Sequence, residues 1–397
     1  MQMYTNLIHI GGKFEIIDRQ QNSIFKLMKK IILLLLLCLG HYLVIKGQNT
    51  NDLLNLLISN KTITQFQADS IRAEAAIKQQ ETEKNRKWYQ LNSSRPLTLS
   101  GYIHARYQNL DEPGKIDGMD IRRVRLDLRS TVNSYWSYRL QTDFAGSPKI
   151  LDAYAECKIN DYFNITAGQF KVPFSLENLT SSNKLEFIDR SQVVEAMVAR
   201  GKDVIGNHNG RDIGLQIGGS FLKYNEKPLF EYRLGIFNGS GINCSDNNEQ
   251  KDLAGRLMVH PFKGFDFGGG YYAGYAFWGQ PSANVSRNRI GFEINYEFER
   301  FSLKSEYIKG SDGTADRSGW YAQAGYYIIP QQLQFLFKYD TFDPDSGKPD
   351  NISTQYVAVI NYIFNAWTRL QAGYAFKNEE GVAINNNIGS IQLQVGF

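Results

Sequence analysis

The sequence predicts an all-β fold, a closed antiparallel transmembrane β-barrel of about sixteen strands, with a short N-terminal helix after a signal peptide. Three observations predict it: an export signal, an apolar–polar alternation that recurs from about residue 97 to the end, and a regular difference between short and long connections. In the last ten residues, Ile391, Leu393, Val395 and Phe397 alternate with glutamine and glycine. A period of two with one apolar side is typical of a strand between an apolar and a wet environment.

Residues 1–47 resemble a secretory signal peptide. Three lysines between residues 26 and 30 precede an apolar run from residue 31 to 39, and the segment ends near Gly47. A basic stretch, a short apolar run and a small-residue exit are typical of a cleaved signal. The run is too short for a comfortable membrane-spanning helix. Met28 is an alternative start of the protein.

The mature chain is formally neutral, so its composition does not indicate a strongly charged binding partner. Residues 1–47 hold six of the 44 Lys/Arg and two of the 40 Asp/Glu, which leaves 38 residues of each sign. Any anion preference must therefore come from where the charges lie. Without a basic run or a known motif, nucleic-acid binding has no support. The chain has 23 Tyr, 24 Phe and 5 Trp, which suits the aromatic girdles of a barrel.

Residues 48–96 are expected to form a periplasmic helix and linker. Helix is predicted for residues 51 to about 88, where Thr64–Gln67 has the pattern of a capping box and apolar residues follow at roughly helical spacing. One interpretation is an oligomerising helix, and the other is a loosely ordered leader, because the apolar seam lasts few heptads.

Sixteen strand candidates divide residues 97–397. In residues 287–299, Ile290, Phe292 and Ile294 oppose polar neighbours. The candidates 264–275 and 353–364 are ambiguous, since they are apolar or small on both faces. The predicted strands are 97–107, 119–131, 134–145, 150–159, 162–170, 211–222, 228–238, 251–260, 264–275, 287–299, 301–310, 319–329, 331–341, 353–364, 367–377 and 388–397.

The connections carry an independent signal. Those after even-numbered strands are mostly tight, such as Asn160-Asp161 and Glu299-Arg300, and those after odd-numbered strands are longer and polar. Short turns at one rim, long loops at the other and an even number of strands are typical of bacterial outer-membrane barrels. Closure also removes the sheet edges that a bilayer cannot solvate.

The third long connection, residues 171–210, is the longest. Long loops without strands of their own are usually functional or disordered. Two apolar-faced segments, near residues 185–190 and 193–199, favour an ordered loop. A sixteen-stranded barrel leaves an aqueous channel, which a loop folded inward would narrow. The alternative is a loop over the rim or at a subunit contact.

The wall near the N-terminal end of the barrel is rich in arginine. Alternation on strand 119–131 directs Val124 and Leu126 to lipid and Arg122 to the same lipid face, near a rim. The inward set comprises His104, Arg106, Arg123, Arg125, Arg129 and Arg139, with Asp127 and Asp143. Charged rings at a constriction give pores their selectivity. Ordinary Arg–acid ladders across the strands would account for the same residues.

Several motifs carry a family resemblance. Residues 121–126 (IRRVRL), 140–145 (LQTDFA), 168–177 (GQFKVPFSLE), 187–191 (FIDRS) and 210–216 (GRDIGLQ) look like the phosphate-selective porin O and P family. The resemblance covers about residues 97–222 well and the remainder by strand rhythm and Phe397, which resembles an assembly signal.

The resemblance implies a channel in the outer-membrane bilayer, typically a homotrimer, whose inward third loop forms an anion-binding constriction. Lys171 and Arg190 would approach permeating anions from the loop, with Arg123 and Arg125 on the wall. Lys184 and Arg211 complete the predicted anion pathway, although Glu177, Glu186 and Asp189 nearly balance the charge of the loop.

The predicted function is passive diffusion of small anions, with phosphate or polyphosphate included, and the alternative is a weakly selective general porin. An adhesin or structural barrel would lack conductance. An enzyme would need a nucleophile and a base within reach, but His104, His208 and His260 lie in no such motif. The same three histidines lie on separate segments, so we expect neither a metal site nor a cofactor.

Overall fold

The computed structural model describes residues 50–60, 62–65, 67–68, 71–72, 97–224, 227–279, 282–382 and 384–397. The chain forms two compact units, Met1–Gln90 and Leu91–Phe397. The predicted signal peptide and the linker 73–96 lie outside the described residues. In the described part of the chain, no helix combines the length and apolar character needed to cross a membrane.

The described part of the first unit contains helix α1 (Thr50–Ser59) and the start of a second helical segment. The predicted capping box is present, because Gln67 N donates to Thr64 Oγ1 at 3.2 Å and Thr64 N donates to Gln67 Oε1 at 2.9 Å. Arg72 then donates to Asn55 Oδ1 at 2.7 Å, which ties the second segment to α1. The helix expected from residue 51 is therefore interrupted after Ser59.

The second unit is a closed antiparallel barrel of sixteen strands within its described residues. Each strand pairs with its neighbours in sequence, and β1 pairs with β16. The predicted fold class and strand number are confirmed. The strands are β1 (Leu97–Leu110), β2 (Gly118–Thr131), β3 (Trp136–Asp143), β4 (Lys149–Asn160), β5 (Phe163–Lys171), β6 (Arg211–Tyr224), β7 (Lys227–Phe237), β8 (Asp252–Phe262), β9 (Phe265–Trp278), β10 (Ala283–Phe298), β11 (Phe301–Asp312), β12 (Ala315–Ile329), β13 (Leu333–Asp343), β14 (Ser353–Ile363), β15 (Thr368–Glu379) and β16 (Ile388–Gly396).

The rim where even-numbered strands end is here called the turn rim, and the opposite one the loop rim. The turn rim has connections such as 161–162 and 299–300, and the loop rim has 111–117, 172–210, 238–251 and 344–352. One predicted loop is absent, because β11 and β12 extend beyond their predicted ends and meet in a two-residue turn. Gly313 has a φ of 63° in that turn, a conformation that glycine adopts without strain.

The outer face of the barrel is apolar. Ile290, Phe292 and Ile294 on β10 are exposed, as alternation predicts. Aromatic rings follow both rims: Trp320, Tyr339 and Tyr356 contact one another near the loop rim, with centroids 5.0 and 5.4 Å apart. Near the turn rim, Phe262 stacks on Phe265 at 5.1 Å and further aromatic residues follow. Such girdles mark the two membrane interfaces of a barrel.

The assignment of Arg122 to the lipid face is wrong. The pairing of β1 with β2 shifts between His104 and Ala105, so His104 lies opposite Arg123 and Ala105 opposite Ile121. A bulge places an extra residue in one strand and disturbs alternation locally. Arg122 therefore turns into the barrel, where it bonds to the carbonyl of Ile188 and the carboxylate of Asp189.

The connection between β5 and β6, residues 172–210, packs inside the barrel and is here called the pore loop. It contains α2 (Leu176–Leu179), a 3₁₀-helix (Ser182–Lys184) and α3 (Gln192–Met197). Its apolar side chains form a buried cluster with inner-face residues of β5, β7, β8, β9, β11, β12 and β13. The cluster comprises Phe170, Val172, Phe174, Val193, Val194, Ala196, Met197, Val198, Phe237, Ala254, Tyr272, Ile308, Tyr321 and Phe342.

This packing explains the two ambiguous strands. A Cβ at Gly270 of β9 or Gly291 of β10 would lie 2.9 or 3.1 Å from the ring of Phe174. On β14, Val359 packs with Phe187 of the pore loop in a second buried cluster. The inward side chains of these strands are small or apolar because they pack against the pore loop. An apolar–polar alternation is expected only where the inner face of a strand contacts water.

Candidate functional site

Wall side chains hold the pore loop by its backbone. Glu306 of β11 accepts hydrogen bonds from Leu176 N at 2.7 Å, Glu177 N at 2.9 Å and the hydroxyl of Tyr321 at 2.8 Å. Buried backbone donors are costly when unpaired, so these bonds fix the start of α2 against the wall.

The second half of the loop has its own anchors. Gln192 N donates to Asp340 Oδ2 at 2.8 Å at the start of α3. Asn361 and Gln371 both donate to the carbonyl of Glu186 at 2.9 Å. The loop is thus attached to β11 and to β13 through β15.

A cavity of about 510 Å³ opens above the loop, toward the loop rim, and is here called the loop-rim chamber. Its lining holds nine Lys/Arg and three Asp/Glu. The cations are Arg122, Arg123, Arg125, Lys149, Arg190, Arg200, Lys202, Lys338 and Lys377, and the carboxylates are Asp143, Asp189 and Glu195. Such an excess of one sign in a low-dielectric enclosure concentrates ions of the opposite sign.

Arg123 has no ion pair among the described residues. Its Nη1 is buried and has no hydrogen-bond partner among the described residues. The facing His104 is fully buried, with Nε2 at 3.0 Å from Gln394 Oε1 and Nδ1 unpartnered. Farther along the same row, Arg369 Nη2 donates to Gln394 Oε1 at 3.1 Å. Unsatisfied guanidinium donors in this row are suited to an incoming anion.

The other predicted wall arginines are ion-paired. Arg125 Nε lies 2.8 Å from Asp143, and Arg139 bridges Asp127 at 2.6 Å and Asp152 at 3.1 Å. In the same way Arg211 pairs with Asp152, Arg129 with Asp127 and Arg106 with Asp120. The arginine–acid ladder considered from the sequence is therefore present, and Arg123 lies outside it.

The predicted loop cations differ in role. Lys171 Nζ donates to the carbonyls of Leu179 and Thr180, both at 3.0 Å. Arg190 donates to the carbonyls of Glu177 at 3.0 Å and Thr180 at 2.9 Å. Both residues therefore hold the turn that follows α2, although Arg190 also lines the loop-rim chamber.

Lys184 is exposed and lines a cavity of about 420 Å³ at the turn rim, beside the β1–β16 closure. This cavity, called the seam chamber, also contains Arg129, Arg139 and Arg211. Arg125 lines both the seam chamber and the loop-rim chamber. The two chambers therefore meet at Arg125.

Sequence reasoning missed several chamber cations. Lys338 of β13 is buried, its Nζ lies 4.7 Å from the ring centroid of Phe187, and it donates to the carbonyl of Asp189 at 3.2 Å. Lys149 and Lys377 were missed as well, and they line the same chamber together with Lys202, a loop cation that the sequence does show. No ion pair is found for these three lysines among the described residues. Inward alternation on β13 and β15 would have placed Lys338 and Lys377 in the lumen, but their proximity to Arg123 depends on closure of the barrel.

Of the two loop carboxylates that line this chamber, Glu195 and Asp189, it is Asp189 that pairs with Arg122. Its side chain is 54% exposed to the lumen, and it pairs with Arg122 and lies 3.8 Å from Arg106. Burial inside the barrel raises the pKa of Asp189, but the neighbouring cations, with Arg122 and Arg106 foremost, together lower it by more, so that it lies below its ordinary value. Asp189 thus remains ionised and offsets part of the positive charge.

Comparison with protein families identifies the barrel. The model of the family described as phosphate-selective porin O and P matches residues 97–274, and the Gram-negative porin model matches residues 231–381. Together they span the barrel from β1 to β15. The protein is an outer-membrane porin. As a porin it is a channel and not an enzyme, and its loop rim faces the outside of the cell.

Known relatives of this porin are distant in sequence. A protein of Aquifex aeolicus (strain VF5), described only as uncharacterized, is 26% identical in a match that covers 63% of this chain and 68% of that protein. An anion-selective porin from Comamonas acidovorans is similar in structure, with a TM-score of 0.58, 15% identity, and coverage of 77% of this chain and 100% of that one.

Two further porin structures share the fold. OmpF of Salmonella typhi, in a complex with daunomycin, has a TM-score of 0.58 and 12% identity over 76% of this chain and 97% of that one. The trimer form of OmpT of Vibrio cholerae has a TM-score of 0.53 and 12% identity over 77% of this chain and 100% of that one. At such identities the likeness shows the fold alone.

Proposed function

We propose that this porin conducts small anions, phosphate or polyphosphate among them, by passive diffusion through a water-filled lumen narrowed by the pore loop. The observation that carries the proposal is the excess of nine cations over three carboxylates in the loop-rim chamber. Selectivity in such a pore arises from charged side chains at close quarters.

The path proposed for the anion follows the unpaired charges. Lys149, Lys202 and Lys377 attract it into the loop-rim chamber, and the guanidinium of Arg123, which lines that chamber without an ion pair among the described residues, offers it hydrogen bonds. Beyond Arg125 it enters the seam chamber, whose lining holds six Lys/Arg against Asp127 and the terminal carboxylate of Phe397. Exit at the turn rim delivers it to the periplasm.

The family motif and the anion-selective porin of Comamonas acidovorans support an anion path. The trimer form of the OmpT neighbour likewise supports assembly of this porin as a homotrimer in the bilayer. Residues 48–96 are proposed to lie in the periplasm, after removal of the signal peptide 1–47.

A weakly selective general porin is the second candidate. Arg106, Arg125 and Arg139 are all paired with carboxylates, which removes much of the net charge that the sequence places on this wall. The two candidates differ in whether the unpaired cations are enough to bind an anion.

The deciding experiment is the reversal potential of the purified mature porin in a planar bilayer across a KCl gradient, followed by addition of phosphate. We expect anion-directed reversal and a saturable reduction of the chloride current by phosphate, because both anions would compete for Arg123. A weak or cation-directed reversal would support the general porin, and a membrane without conductance would contradict both candidates.

A further inference from the structure

A third cavity adjoins the seam chamber at the turn rim and shares Arg139, Lys171 and Leu179 with it. It has a volume of about 720 Å³, is lined by residues of β3 through β10 and of the pore loop, and is here called the wide chamber. Small-molecule sites commonly measure about 300–1,000 Å³. The wide chamber therefore has room for an organic solute as well as for ions.

The wide chamber is balanced in charge. Five Lys/Arg and five Asp/Glu line it: Arg139, Lys158, Lys171, Arg233 and Arg256, with Asp152, Glu156, Asp161, Glu231 and Asp266. Most are paired, as in Arg233 with Glu231 at 2.6 Å and Lys158 with Asp161 at 2.9 Å. A balanced, paired lining gives little electrostatic preference for either sign of ion, in contrast to the loop-rim chamber.

One wall of the wide chamber presents both donors and acceptors without partners. His260 Nδ1 lies 2.6 Å from Asp266 Oδ1, and Asn295 Nδ2 donates to the other oxygen of Asp266 at 3.0 Å. This arrangement leaves His260 Nε2 and Asn295 Oδ1 buried without partners among the described residues. Arg256 binds Glu293 through Nη2, and its Nε is also unpartnered.

These atoms are complementary to hydroxyl groups. Arg256 Nε can only donate, Asn295 Oδ1 can only accept, and His260 Nε2 takes either role according to its protonation. A hydroxyl both donates and accepts, so hydroxyls spread along one extended solute are complementary to all three. Because unpaired buried polar atoms are costly, the bonds regained would favour binding.

An aromatic ring completes the site. Tyr154 of β4 lines the wide chamber and meets Phe170 edge-on, with centroids 5.8 Å apart. The electron-rich face of an aromatic ring attracts the positive edge of C–H groups, which sugar rings present on their apolar faces.

We propose that the wide chamber is a binding subsite for neutral polyhydroxylated solutes, that is, for saccharides. Tyr154 packs against the sugar ring, and Arg256, His260 and Asn295 bond to its hydroxyls. The four residues proposed to bind the sugar line neither the seam chamber nor the loop-rim chamber, so this proposal does not depend on anion selectivity.

The test is block of the KCl current through the full mature porin by maltose added on the turn-rim side of a planar bilayer. We expect a saturable block, with half-block at roughly millimolar maltose. A polyethylene glycol of similar size should lower the current only in proportion to its concentration. A maltose effect that is linear, like that of the polymer, would overturn the proposal.

The variants Tyr154→Leu and Asn295→Ala assign the block to this chamber. Each should raise the half-block concentration roughly fivefold or more, as for the loss of one hydrogen bond or ring contact. Tyr154→Phe should retain the block, and Tyr107→Leu on the lipid face should leave it unchanged. Unaltered half-block in both Tyr154→Leu and Asn295→Ala channels that conduct KCl normally would contradict the assignment. Phosphate block is measured on the same channels, so failure of one proposal is distinguishable from failure of the other.

Discussion

Arg122 on β2 forms an ion pair with Asp189 of the pore loop across the lumen. This pairing depends on the shift in register between β1 and β2, which turns two successive arginines, Arg122 and Arg123, toward the lumen. Asp189 neutralises Arg122, whereas no carboxylate of the described residues pairs with Arg123. Arg122 therefore holds the pore loop, and Arg123 is left to bind a permeating anion.

The first prediction concerns Arg123. Replacement Arg123→Glu should shift the reversal potential in a KCl gradient toward cation preference and abolish phosphate block, because it removes the unpaired guanidinium and adds a negative charge to the lining of the loop-rim chamber. The measurement is the reversal potential in a planar bilayer.

Lys348→Glu is the matched control for Arg123→Glu. It makes the same change of charge on a side chain that is 74% exposed in a loop-rim connection. It should leave selectivity nearly unchanged, since exposed charges are screened within about a Debye length. Equal effects of the two substitutions would show that total charge, and not position, sets the selectivity.

The second prediction concerns Asp189. Replacement Asp189→Asn should lower the concentration of phosphate needed for half-block by roughly tenfold, the factor for about 1.4 kcal/mol, because it releases Arg122 from its carboxylate and removes a negative charge near Arg106, which stays paired with Asp120. The control is Asp345→Asn, in an exposed connection of the loop rim. A phosphate affinity that does not rise would indicate that the anion binds away from these arginines.

The pH dependence of Asp189 follows from the same contacts. Since the nearby arginines hold the pKa of Asp189 below its ordinary value, its ion pair stabilises the pore loop above the pKa of an unfolded aspartate. That contribution is lost as the pH falls through the lowered pKa of the folded state. Phosphate block of the wild-type porin should therefore begin to resemble that of Asp189→Asn only below the usual range of aspartate titration.

The third prediction concerns the anchor of the pore loop. Replacement Glu306→Ala removes the acceptor for Leu176 N, Glu177 N and the Tyr321 hydroxyl. Each unsatisfied donor costs about 1–3 kcal/mol, so the loop should detach more often. We expect a larger and noisier single-channel conductance.

Glu297→Ala is the control for Glu306→Ala. The side chain of Glu297 is 58% exposed and pairs only with Lys304 among the described residues. Its removal should leave the conductance steady. A quiet channel of wild-type conductance in Glu306→Ala would show that the apolar cluster around Phe174 and Val193 holds the loop without this carboxylate.

The fourth prediction concerns the end of the chain. Phe397 N donates to the carbonyl of Gly101 at 3.0 Å, and Gly101 N donates to the carbonyl of Phe397 at 3.1 Å, which completes the β1–β16 closure. Deleting Phe397 removes both bonds and an exposed ring, and should reduce the fraction of folded, heat-resistant barrel in the outer membrane.

Phe397→Ala separates the two contributions of that residue. It keeps the backbone bonds and removes only the ring, whereas Phe397→Trp keeps an aromatic group. If the ring acts as an assembly signal, Phe397→Ala should assemble as poorly as the deletion, and Phe397→Trp should assemble normally. Normal assembly of Phe397→Ala would assign the role to closure alone.

Much of the architecture could be predicted from the chain. Alternation in segments such as 287–299 located the sixteen strands, because one face of each strand meets lipid and repeats every second residue. The motifs around Arg123 and Gly168 indicated the porin family. The errors lie where alternation fails: at the bulge that redirects Arg122, and in the hairpin that replaces the loop expected between β11 and β12.

The sequence by itself determined the barrel, its strand number and the inward side of most strands, since these depend on local patterns that the membrane imposes. Only the tertiary structure decided which charges remain unpaired. Asp143 neutralises Arg125, and Asp152 lies between Arg139 and Arg211, because closure and register bring them together. Lys338 and Lys377, more than 200 residues from Arg123 in sequence, line the same chamber for that reason. The electrostatic potential in the lumen depends on all these charges together. Because they come from strands that are distant in sequence, no local sequence pattern predicts it.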